Sequence, residues 1–475
     1  MSLQVSFFAK RHKGFGLNGV LEPMPEREVF SAQDAEREIN YLNTPARRVL
    51  WTPSNRLEFE LLIPPSVYPP RHDSDLLARR ISAIGPGRGK RMLDIGCGAG
   101  QITILASSLG WRVSACDINP YAVAATRGNL ATAALKGEVM EGGVGPEKFP
   151  FQEKFDLIVW NLPYIQPDEI GDEVLGPMEE AALIDTDQKG LLNRLLVCIN
   201  EQNLLAPGGR VITLSRLEGR GFGFAHREWD KLIFDDGEEL ILTCLWRPWE
   251  GADKLLESST SSTNESLLSH RGIGTFLRAE KQTSGRGRRH RDWANIEGCF
   301  AGSWIVEEGQ DINPGHLQLS GGLAVLNSVA DSRLKLKWPN DIYLNGKKVC
   351  GILAEGRNIE HQTRVVLGIG INVKRGQHDC EEPIGFLDEI IDSSAEELAP
   401  ILHCELASLL EKRPDIPKPN TERVRELILI EMKRYGKPIF EGETHADFSL
   451  NNRGELVLSN GKIIDDSEDI EWEIY

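Results

Sequence analysis

Residues 336–355 read LKWPNDIYLNGKKVCGILAE and predict a β-hairpin. The pair Asn345-Gly346 lies between two apolar runs, and Asn-Gly is the strongest two-residue signal for a tight turn between antiparallel strands. Such a hairpin brings Asp341 on the first strand close to Lys348 on the second. These two residues form either an ion pair that only stabilises the fold or one wall of a polar pocket.

A loop rich in arginine and glycine precedes this hairpin in the sequence. Residues 284–293 read SGRGRRHRDW, with four arginines between positions 286 and 291. Glycine lets the backbone approach a ligand closely, and arginine offers a planar fork of donors that suits phosphate and carboxylate. The loop therefore predicts an anion-binding segment. The alternatives are a solvated basic loop or a nucleic-acid patch, and the formal net charge of -17 argues against general nucleic-acid binding.

A second group of motifs lies in the first half of the chain. Residues 91–100 read RMLDIGCGAG, a strand that runs into a glycine turn, and residues 112–117 read RVSACD, a strand that ends in an acid. Helices are predicted over 76–84, with Ser74 as the cap, and over 101–109 and 120–135. Alternating strands and helices are typical of a doubly wound parallel sheet. A glycine turn followed by an acid at the end of the next strand favours a nucleoside-containing cofactor.

A third strand is predicted over residues 155–164, which read FDLIVWNLPY. Its carboxyl end carries Asn161, Pro163 and Tyr164, and open α/β sheets bind their ligands at that edge. The Asn161 amide has a donor and an acceptor, so it can pair with a planar amide or amino group that the Tyr164 ring can cover. A plain strand-to-loop turn is the alternative interpretation.

With these motifs, residues 64–249 resemble the class I S-adenosylmethionine-dependent methyltransferases that modify glutamine in release factors. The resemblance implies a doubly wound, Rossmann-like sheet, with Asn161 as the catalytic residue that holds the amide. The implied cofactor contacts are Asp94, Gly96, Gly98, Gly100, Asp117 and Asn161, and the implied acceptor contacts are Asn161, Pro163 and Tyr164. Leu162 replaces the family's first proline, and residues 137–145 lack the aspartate usual near adenine. The alternative is therefore a docking module that keeps this fold without methyl transfer.

Residues 255–475 resemble the biotin protein ligase family, through GRGRR with Trp293, KWPND, KK-x-x-G-I-L-x-E and GIGIN in this order. That family activates biotin with ATP and Mg²⁺ to biotinyl-adenylate and passes biotin to a lysine of a carboxyl-carrier domain. The implied biotin contacts are Ser262, Thr263, Asn264, Gln282, Gly285, Arg286, Arg288, Lys348 and Gly351. The implied ATP contacts are Arg286, Arg288, Arg289, Arg291, Trp293, Lys337, Asn340 and Asn372. Arg288, Lys348 and Asp341 are the implied catalytic residues, and Asp341 is also the implied metal ligand. His290 departs from the family, which usually has glycine there. A lipoate ligase, which shares the catalytic fold, is the alternative.

These inferences predict a two-enzyme chain of class α/β plus α+β. The expected regions are 1–63 of uncertain fold, the methyltransferase at 64–249, a linker at 250–257, a mixed-sheet ligase catalytic domain at 258–420 with a helical stretch at 384–413, and a helix with a small β-barrel at 421–475. Expected ligands are S-adenosylmethionine, ATP, Mg²⁺ and biotin. A biotin carboxyl carrier domain is the expected partner, and a release factor and a second copy bound through the ligase domain are further candidates. Specific DNA binding is not expected. Eight scattered cysteines and the lack of a membrane-length apolar run favour a cytoplasmic protein.

Overall fold

The computed structural model describes residues 45–54, 56–145, 149–163, 190–216, 221–234, 237–288, 293, 296–359, 362–376 and 384–475. Tyr164, Arg289, His290 and Arg291 lie outside these residues, so the predictions for them remain predictions.

A seven-stranded sheet with the order β5-β4-β3-β6-β7-β9-β8 forms the centre of the first half. Its strands are β3 (Arg91–Ile95), β4 (Arg112–Asp117), β5 (Glu138–Glu141), β6 (Phe155–Asn161), β7 (Leu205–Ser215), β8 (Ala225–Ile233) and β9 (Glu239–Trp246), and a hairpin of β1 (Arg47–Ser54) and β2 (Leu57–Ile63) precedes them. The strands from β5 to β7 are parallel, and β9 and β8 add an antiparallel end. This arrangement confirms the predicted doubly wound sheet.

Within the described residues, the helices that flank this sheet are α1 (His72–Ile84), α2 (Gln101–Ser108), α3 (Pro120–Thr132) and α4 (Leu191–Glu201). The predicted start of the first helix was wrong, because α1 begins at His72 and Ser74 lies inside its first turn rather than at the cap. The Asp73 carboxylate accepts the Ser74 backbone N–H at 2.6 Å, so side chains inside the turn satisfy a donor that helix starts leave unpaired.

The second half contains a mixed seven-stranded sheet with the order β10-β11-β12-β16-β15-β14-β13. Its strands are β10 (Lys254–Glu257), β11 (Phe276–Ala279), β12 (Phe300–Gly309), β13 (Leu334–Lys337), β14 (Asp341–Leu344), β15 (Lys347–Ile359) and β16 (Gln362–Ile371), with helices α5 (Thr263–Leu268), α6 (Pro314–Val329) and α7 (Ala395–Leu410). Strands β14 and β15 form the predicted hairpin, and the positive φ angles of Asn345 (50°) and Gly346 (76°) suit its tight turn.

Two predicted boundaries in this half need correction. Residues 254–257, assigned to the linker, form the edge strand β10 because they pair in parallel with β11. The helical stretch predicted over 384–413 is confined to α7, preceded by a short 3₁₀ turn at Leu387–Glu389. A capping box at Ser394 and Glu397 explains why α7 begins there.

The C-terminal region consists of a helix and two small antiparallel sheets. The elements are α8 (Thr421–Tyr435), β17 (Gly436–Phe440), β18 (Glu443–Thr444), β19 (Phe448–Leu450), β20 (Leu456–Leu458), β21 (Ile463–Ile464) and β22 (Glu471–Ile474). The strands pair as β18-β17-β22 and as β19-β20-β21 rather than as one closed sheet. The predicted helix and small β region are present, whereas a barrel is not confirmed.

The two halves share a continuous hydrophobic core. Ala225, Cys244, Trp246 and Trp249 belong to the same cluster of buried residues as the second sheet and α7. The Glu411 carboxylate accepts the Trp246 indole N–H at 2.7 Å and the Trp249 backbone N–H at 3.0 Å. The antiparallel end of the first sheet therefore packs directly on α7. Within the described residues, no helix is long and apolar enough to span a membrane.

Candidate functional site

A polar cavity of about 660 Å³ lies against β14, β15 and β16 of the second sheet. Most of the predicted ligand contacts line it, namely Ser262, Thr263, Asn264, Gln282, Arg286, Arg288, Trp293, Lys337, Asn340, Asp341, Lys348 and Gly351. Predicted contacts that were widely separated in the sequence are thus brought together in one space.

Among the predicted contacts that the structure describes, Gly285 and Asn372 do not line this cavity. Gly285 accepts the Trp293 backbone N–H through its carbonyl at 2.8 Å, so this pair closes the base of the arginine loop. Asn372 is buried, and its amide donates to the Gly385 carbonyl at 3.2 Å. Both residues shape the surroundings of the cavity rather than its wall.

One end of the cavity is a buried polar network at the start of α5. The Gln282 side-chain oxygen accepts the Thr263 backbone N–H at 2.8 Å. The Asn264 amide nitrogen donates to Glu355 Oε2 at 2.6 Å, and its oxygen lies 2.6 Å from Ser303 Oγ. Fixed donors and acceptors in a buried site suit the planar polar head of a ligand, because an unmatched head would leave them unpaired.

The other part of the cavity is cationic. Lys348 Nζ lies 2.8 Å from Asp341 Oδ1, which confirms the predicted proximity of these residues across the hairpin. Lys348 Nζ is also 5.6 Å from the centroid of the Trp293 ring. Arg286, Arg288 and Lys337 also line the cavity, so its wall has four cationic side chains against the two carboxylates of Asp341 and Glu468, which favours an anionic ligand.

Glycines let the Trp293 ring lie directly on the sheet. A Cβ atom at Gly351 would lie 2.8 Å from Trp293 Cζ3, and one at Gly370 would lie 2.6 Å from Trp293 Cε2. Side chains at these positions would displace the ring, so the motif glycines give the aromatic residue its place in the wall.

Asp341 is the predicted metal ligand inside the cavity. No group of three or more His, Cys, Asp or Glu residues suited to a metal occurs in the described part of the chain. Mg²⁺ is commonly held by one or two carboxylates together with substrate phosphates. A single carboxylate in a phosphate-compatible cavity therefore fits Mg²⁺ that arrives with a nucleotide.

The predicted cofactor residues of the first half also converge. Gly96, Gly98 and Gly100 have φ angles of 65°, 54° and 85°, a conformation that favours glycine. Asp117 accepts the Gly98 N–H at 2.9 Å, so the acid that ends β4 lies beside the glycine turn that follows β3. Carboxylate oxygens keep further lone pairs, so Asp117 can also accept a ribose hydroxyl.

Burial changes the acid–base properties of this loop. It raises the pKa of Asp94 from 3.8 to about 7; the hydrogen bond from Thr103 opposes this rise and the Asp117 carboxylate adds to it. The pKa of Asp117 is also raised by burial. Asp94 accepts the Thr103 hydroxyl at 2.6 Å, so it anchors the turn to α2.

Asn161 is held so that its amide oxygen remains available. Its amide nitrogen donates to Asp73 Oδ2 at 2.9 Å, and its buried oxygen has no hydrogen-bond partner within the described residues. The Gln101 side-chain oxygen, on the helix after the glycine turn, is likewise buried and unpaired there. Orphaned acceptors around a glycine turn fit a ligand that brings N–H or O–H donors.

Comparison with known proteins assigns the two sites to two kinds of domain. Residues 256–372 match the biotin/lipoate A/B protein ligase family, and residues 71–202 match the methyltransferase small domain. The chain joins a methyltransferase domain to a biotin/lipoate ligase domain. The predicted fusion is thereby confirmed, while the particular methyl acceptor is not addressed by these matches.

Curated relatives of this chain include biotin ligases. The bifunctional ligase/repressor BirA of Bacillus subtilis is 38% identical over 144 residues, 28% of this chain and 42% of that protein. The biotin--[acetyl-CoA-carboxylase] ligase of Mycobacterium tuberculosis is 37% identical over 147 residues, 28% of this chain and 53% of that protein. The chain thus spans about half the length of these relatives. The structure of Aquifex aeolicus biotin protein ligase with biotin and ATP is 27% identical, covering 47% of this chain and 99% of that one, with a TM-score of 0.36.

The ligase cavity also contains residues that sequence reasoning missed. They are Gly287, Trp338, Pro339, Ile352, Leu353, Gly368, Ile369, Gly370, Ser467 and Glu468 in the wall, with Ser303 and Glu355 behind it. Glu355 and the glycines lie within the quoted motifs, so a signal was present. Ser303 and Ser467 carried none, because they reach the site only through strand pairing and packing of the C-terminal region.

Proposed function

We propose that the ligase domain is an ATP-dependent biotin protein ligase that forms biotinyl-adenylate and transfers biotin to a lysine of a carboxyl-carrier domain. One observation carries the proposal: a single cavity joins the buried network of Thr263 and Asn264 to the cations Arg288 and Lys348. The first end suits a cyclic urea, and the second suits a carboxylate beside a phosphate.

In the first step, the biotin carboxylate attacks the α-phosphorus of ATP. A P–O bond forms to biotin, the bond to the β-phosphate bridge breaks, and pyrophosphate leaves. Two anions must approach, so Lys348 and Arg288 stabilise the charge that accumulates between them. Mg²⁺, when bound, neutralises phosphate charge, with Asp341 as its protein ligand. Asp341 also orients Lys348 through their 2.8 Å ion pair.

In the second step, the neutral amine of the carrier lysine attacks the acyl carbon of the adenylate. A C–N bond forms, the C–O bond to AMP breaks, and the amine loses a proton. Asp341, a carboxylate in the cavity wall, is the proposed acceptor for that proton.

Biotin-dependent exchange of labelled pyrophosphate into ATP tests the first step. We expect biotin to support exchange and lipoate not to do so. Lys348→Met should lower the exchange rate by about 100-fold, because it removes a cation beside the reacting phosphate. Lys347→Met is the matched control, since the exposed Lys347 does not line the cavity. Exchange with lipoate instead of biotin, or equal rates in both variants, would contradict the proposal.

We further infer that the methyltransferase domain transfers methyl from S-adenosylmethionine to a planar nitrogen, with a protein glutamine as the candidate. The unpaired Asn161 oxygen supports this, because it can accept an N–H from the target amide. S-adenosylmethionine, when bound, supplies the methyl group as a sulfonium. Asn161 and Asp73 would hold the attacking nitrogen in line, so catalysis would be mainly positioning.

Calorimetry with S-adenosylmethionine separates methyl transfer from a docking role. We expect binding that Asp117→Ala abolishes and Asp156→Ala preserves, since the Asp156 carboxylate accepts the Arg91 N–H away from the glycine turn. Labelled methyl transfer to a release factor then tests the acceptor. No binding by the unmodified chain would favour a docking module.

A further inference from the structure

The Asn264 amide is held at both ends inside the ligase sheet. Its nitrogen donates to Glu355 Oε2 at 2.6 Å, and its oxygen lies 2.6 Å from the hydroxyl of Ser303. Asn264 is 4% exposed and Ser303 is completely buried. The contact to Ser303 is therefore shielded from water, which would otherwise compete for the amide, while the contact to Glu355 is partly buried.

Glu355 is the nearer of two acceptors that fix which way this amide points, because the Leu353 carbonyl also lies 3.4 Å from the amide nitrogen. An ionised carboxylate can only accept hydrogen bonds, so the atom 2.6 Å from Glu355 Oε2 must be the amide nitrogen. The opposite orientation would place two acceptors against each other. The Asn264 oxygen must then face Ser303, and because an amide oxygen cannot donate, the Ser303 hydroxyl donates to it.

The orientation of Asn264 also fixes the hydrogen-bonding role of Thr263. Ser303 Oγ also lies 2.7 Å from Thr263 Oγ1, and a hydroxyl has only one proton. Since Ser303 donates to Asn264, Thr263 must donate to Ser303. Thr263 lines the cavity, so its remaining lone pair can only accept a hydrogen bond from the ligand. Thr263 thus donates to Ser303, Ser303 donates to Asn264, and Asn264 donates to Glu355.

The strand behind Asn264 fixes the position of the network. A Cβ atom at Gly368 would collide with the Asn264 side-chain oxygen, so the amide lies directly against β16. The Thr263 hydroxyl also lies 3.1 Å from the Gln282 side-chain oxygen. That oxygen already accepts the Thr263 backbone N–H at 2.8 Å, so the hydroxyl proton is left for Ser303 at the shorter distance of 2.7 Å. Each member therefore has a partner that agrees with this order of donors.

We propose that Glu355 and Ser303 are positioning residues that commit Thr263 to accepting a ring N–H, and so select a cyclic urea over a sulfur ring that has no N–H. This inference rests on the biotin ligase function proposed above. A ligand without the ring donor leaves the remaining lone pair of Thr263 without a partner in a buried site, and a polar site discriminates most strongly against such a ligand.

The test compares Glu355→Gln with Glu308→Gln in the intact chain by pyrophosphate exchange. Glutamine keeps the size of Glu355 but can donate its NH₂ group to Asn264. The Asn264 amide can then rotate by 180°, and Ser303 is no longer required to donate to it. Glu308 is the matched control, because it lies on the same sheet and pairs with Arg364 at 2.5 Å. Biotin, desthiobiotin, which keeps the urea, and lipoate serve as substrates.

We expect Glu355→Gln to raise the KM for biotin and for desthiobiotin by about 10- to 100-fold, while the KM for ATP and the Tm stay constant. Lipoate, which is not expected to support exchange by the unmodified chain, should support weak exchange by Glu355→Gln. Ser303→Ala removes the hydroxyl between Thr263 and Asn264, so it should also raise the KM for biotin. Glu308→Gln should match the unmodified chain.

The outcomes separate this inference from the proposed function. No biotin-dependent exchange by the unmodified chain would refute the ligase function itself. Exchange by that chain with an unchanged biotin KM in Glu355→Gln or Ser303→Ala would overturn the positioning role alone. Equal increases in the KM for biotin and for ATP would also overturn it, because a general structural defect would affect both.

Discussion

Arg227 provides the sharpest test of how the two domains are joined. This side chain on β8 is buried and donates to four backbone carbonyls at and beyond the end of α7, those of Ala407, Ser408, Glu411 and Pro417. Burial lowers the pKa of its guanidinium to about 10, so it remains charged at neutral pH. A cation at a helix C-terminus also interacts favourably with the helix dipole.

Arg227→Met keeps the aliphatic length and removes every donor. Four carbonyls inside the interface then lose a charged partner. At about 1 kcal/mol each, the free energy of unfolding should fall by about 3–5 kcal/mol. The loss should appear in both domains, because the carbonyls belong to the ligase domain and the arginine to the methyltransferase sheet.

Urea unfolding of the intact chain, followed by circular dichroism and by loss of pyrophosphate exchange, measures this effect. The two probes should shift together to lower urea. Arg48→Met is the control, since Arg48 pairs with Glu60 on an exposed hairpin and its loss should change stability by less than about 1 kcal/mol. An unchanged transition for the ligase probe in Arg227→Met would refute the shared core as a stabilising interface.

Two further predictions concern the individual sites. Gly368→Ala should raise the KM for biotin at least about 10-fold and leave the KM for ATP constant, because the added Cβ displaces Asn264. Pyrophosphate exchange measures both constants. An unchanged KM for biotin would argue against the close packing of Asn264 on Gly368. Asp94→Asn should alter how the stability of the chain depends on pH. The pKa of Asp94 is raised to about 7 in the folded chain, so the protonated Asp94 stabilises the fold and this stabilisation is lost as pH rises from about 4 through 7. The Tm of the unmodified chain should therefore fall, relative to that of Asp94→Asn, between pH 5 and pH 8, and parallel Tm curves would contradict the assignment.

Local signals in the sequence predicted much of the architecture. The Asn345-Gly346 turn specified the hairpin because few other pairs adopt positive φ angles at both positions. The hairpin in turn placed Asp341 beside Lys348, which the 2.8 Å ion pair confirms. The glycine turn after β3 and the acid at the end of β4 likewise came together because neighbouring parallel strands end at the same edge of the sheet.

Long-range packing accounts for what the sequence did not reveal. Ser303 reaches Asn264 only because β12 pairs with β16, and one buried serine on a strand has no distinctive local pattern. Ser467 enters the cavity through the fold of the C-terminal region. Arg227 carried no signal in the sequence, because its carbonyl partners lie about 180 residues away along the chain.

The start of α1 shows the limit of capping signals. Ser74 is a good cap residue by type, but Asp73 already accepts its backbone N–H, so the helix extends back to His72. The linker boundary failed for a different reason: Lys254–Glu257 is a short strand whose pairing with β11 cannot be read from its own four residues.

Transfer of biotin to a carrier lysine tests the central claim most directly. The intact chain is incubated with biotin, Mg²⁺, ATP and the carboxyl-carrier domain of a biotin-dependent carboxylase, and the mass of the carrier is measured. The account predicts a mass increase of one biotinyl group that requires ATP and the carrier lysine, is strongly slowed by Lys348→Met and is unaffected by Lys347→Met. A carrier of unchanged mass with the unmodified chain, or one modified by lipoate instead, would contradict it.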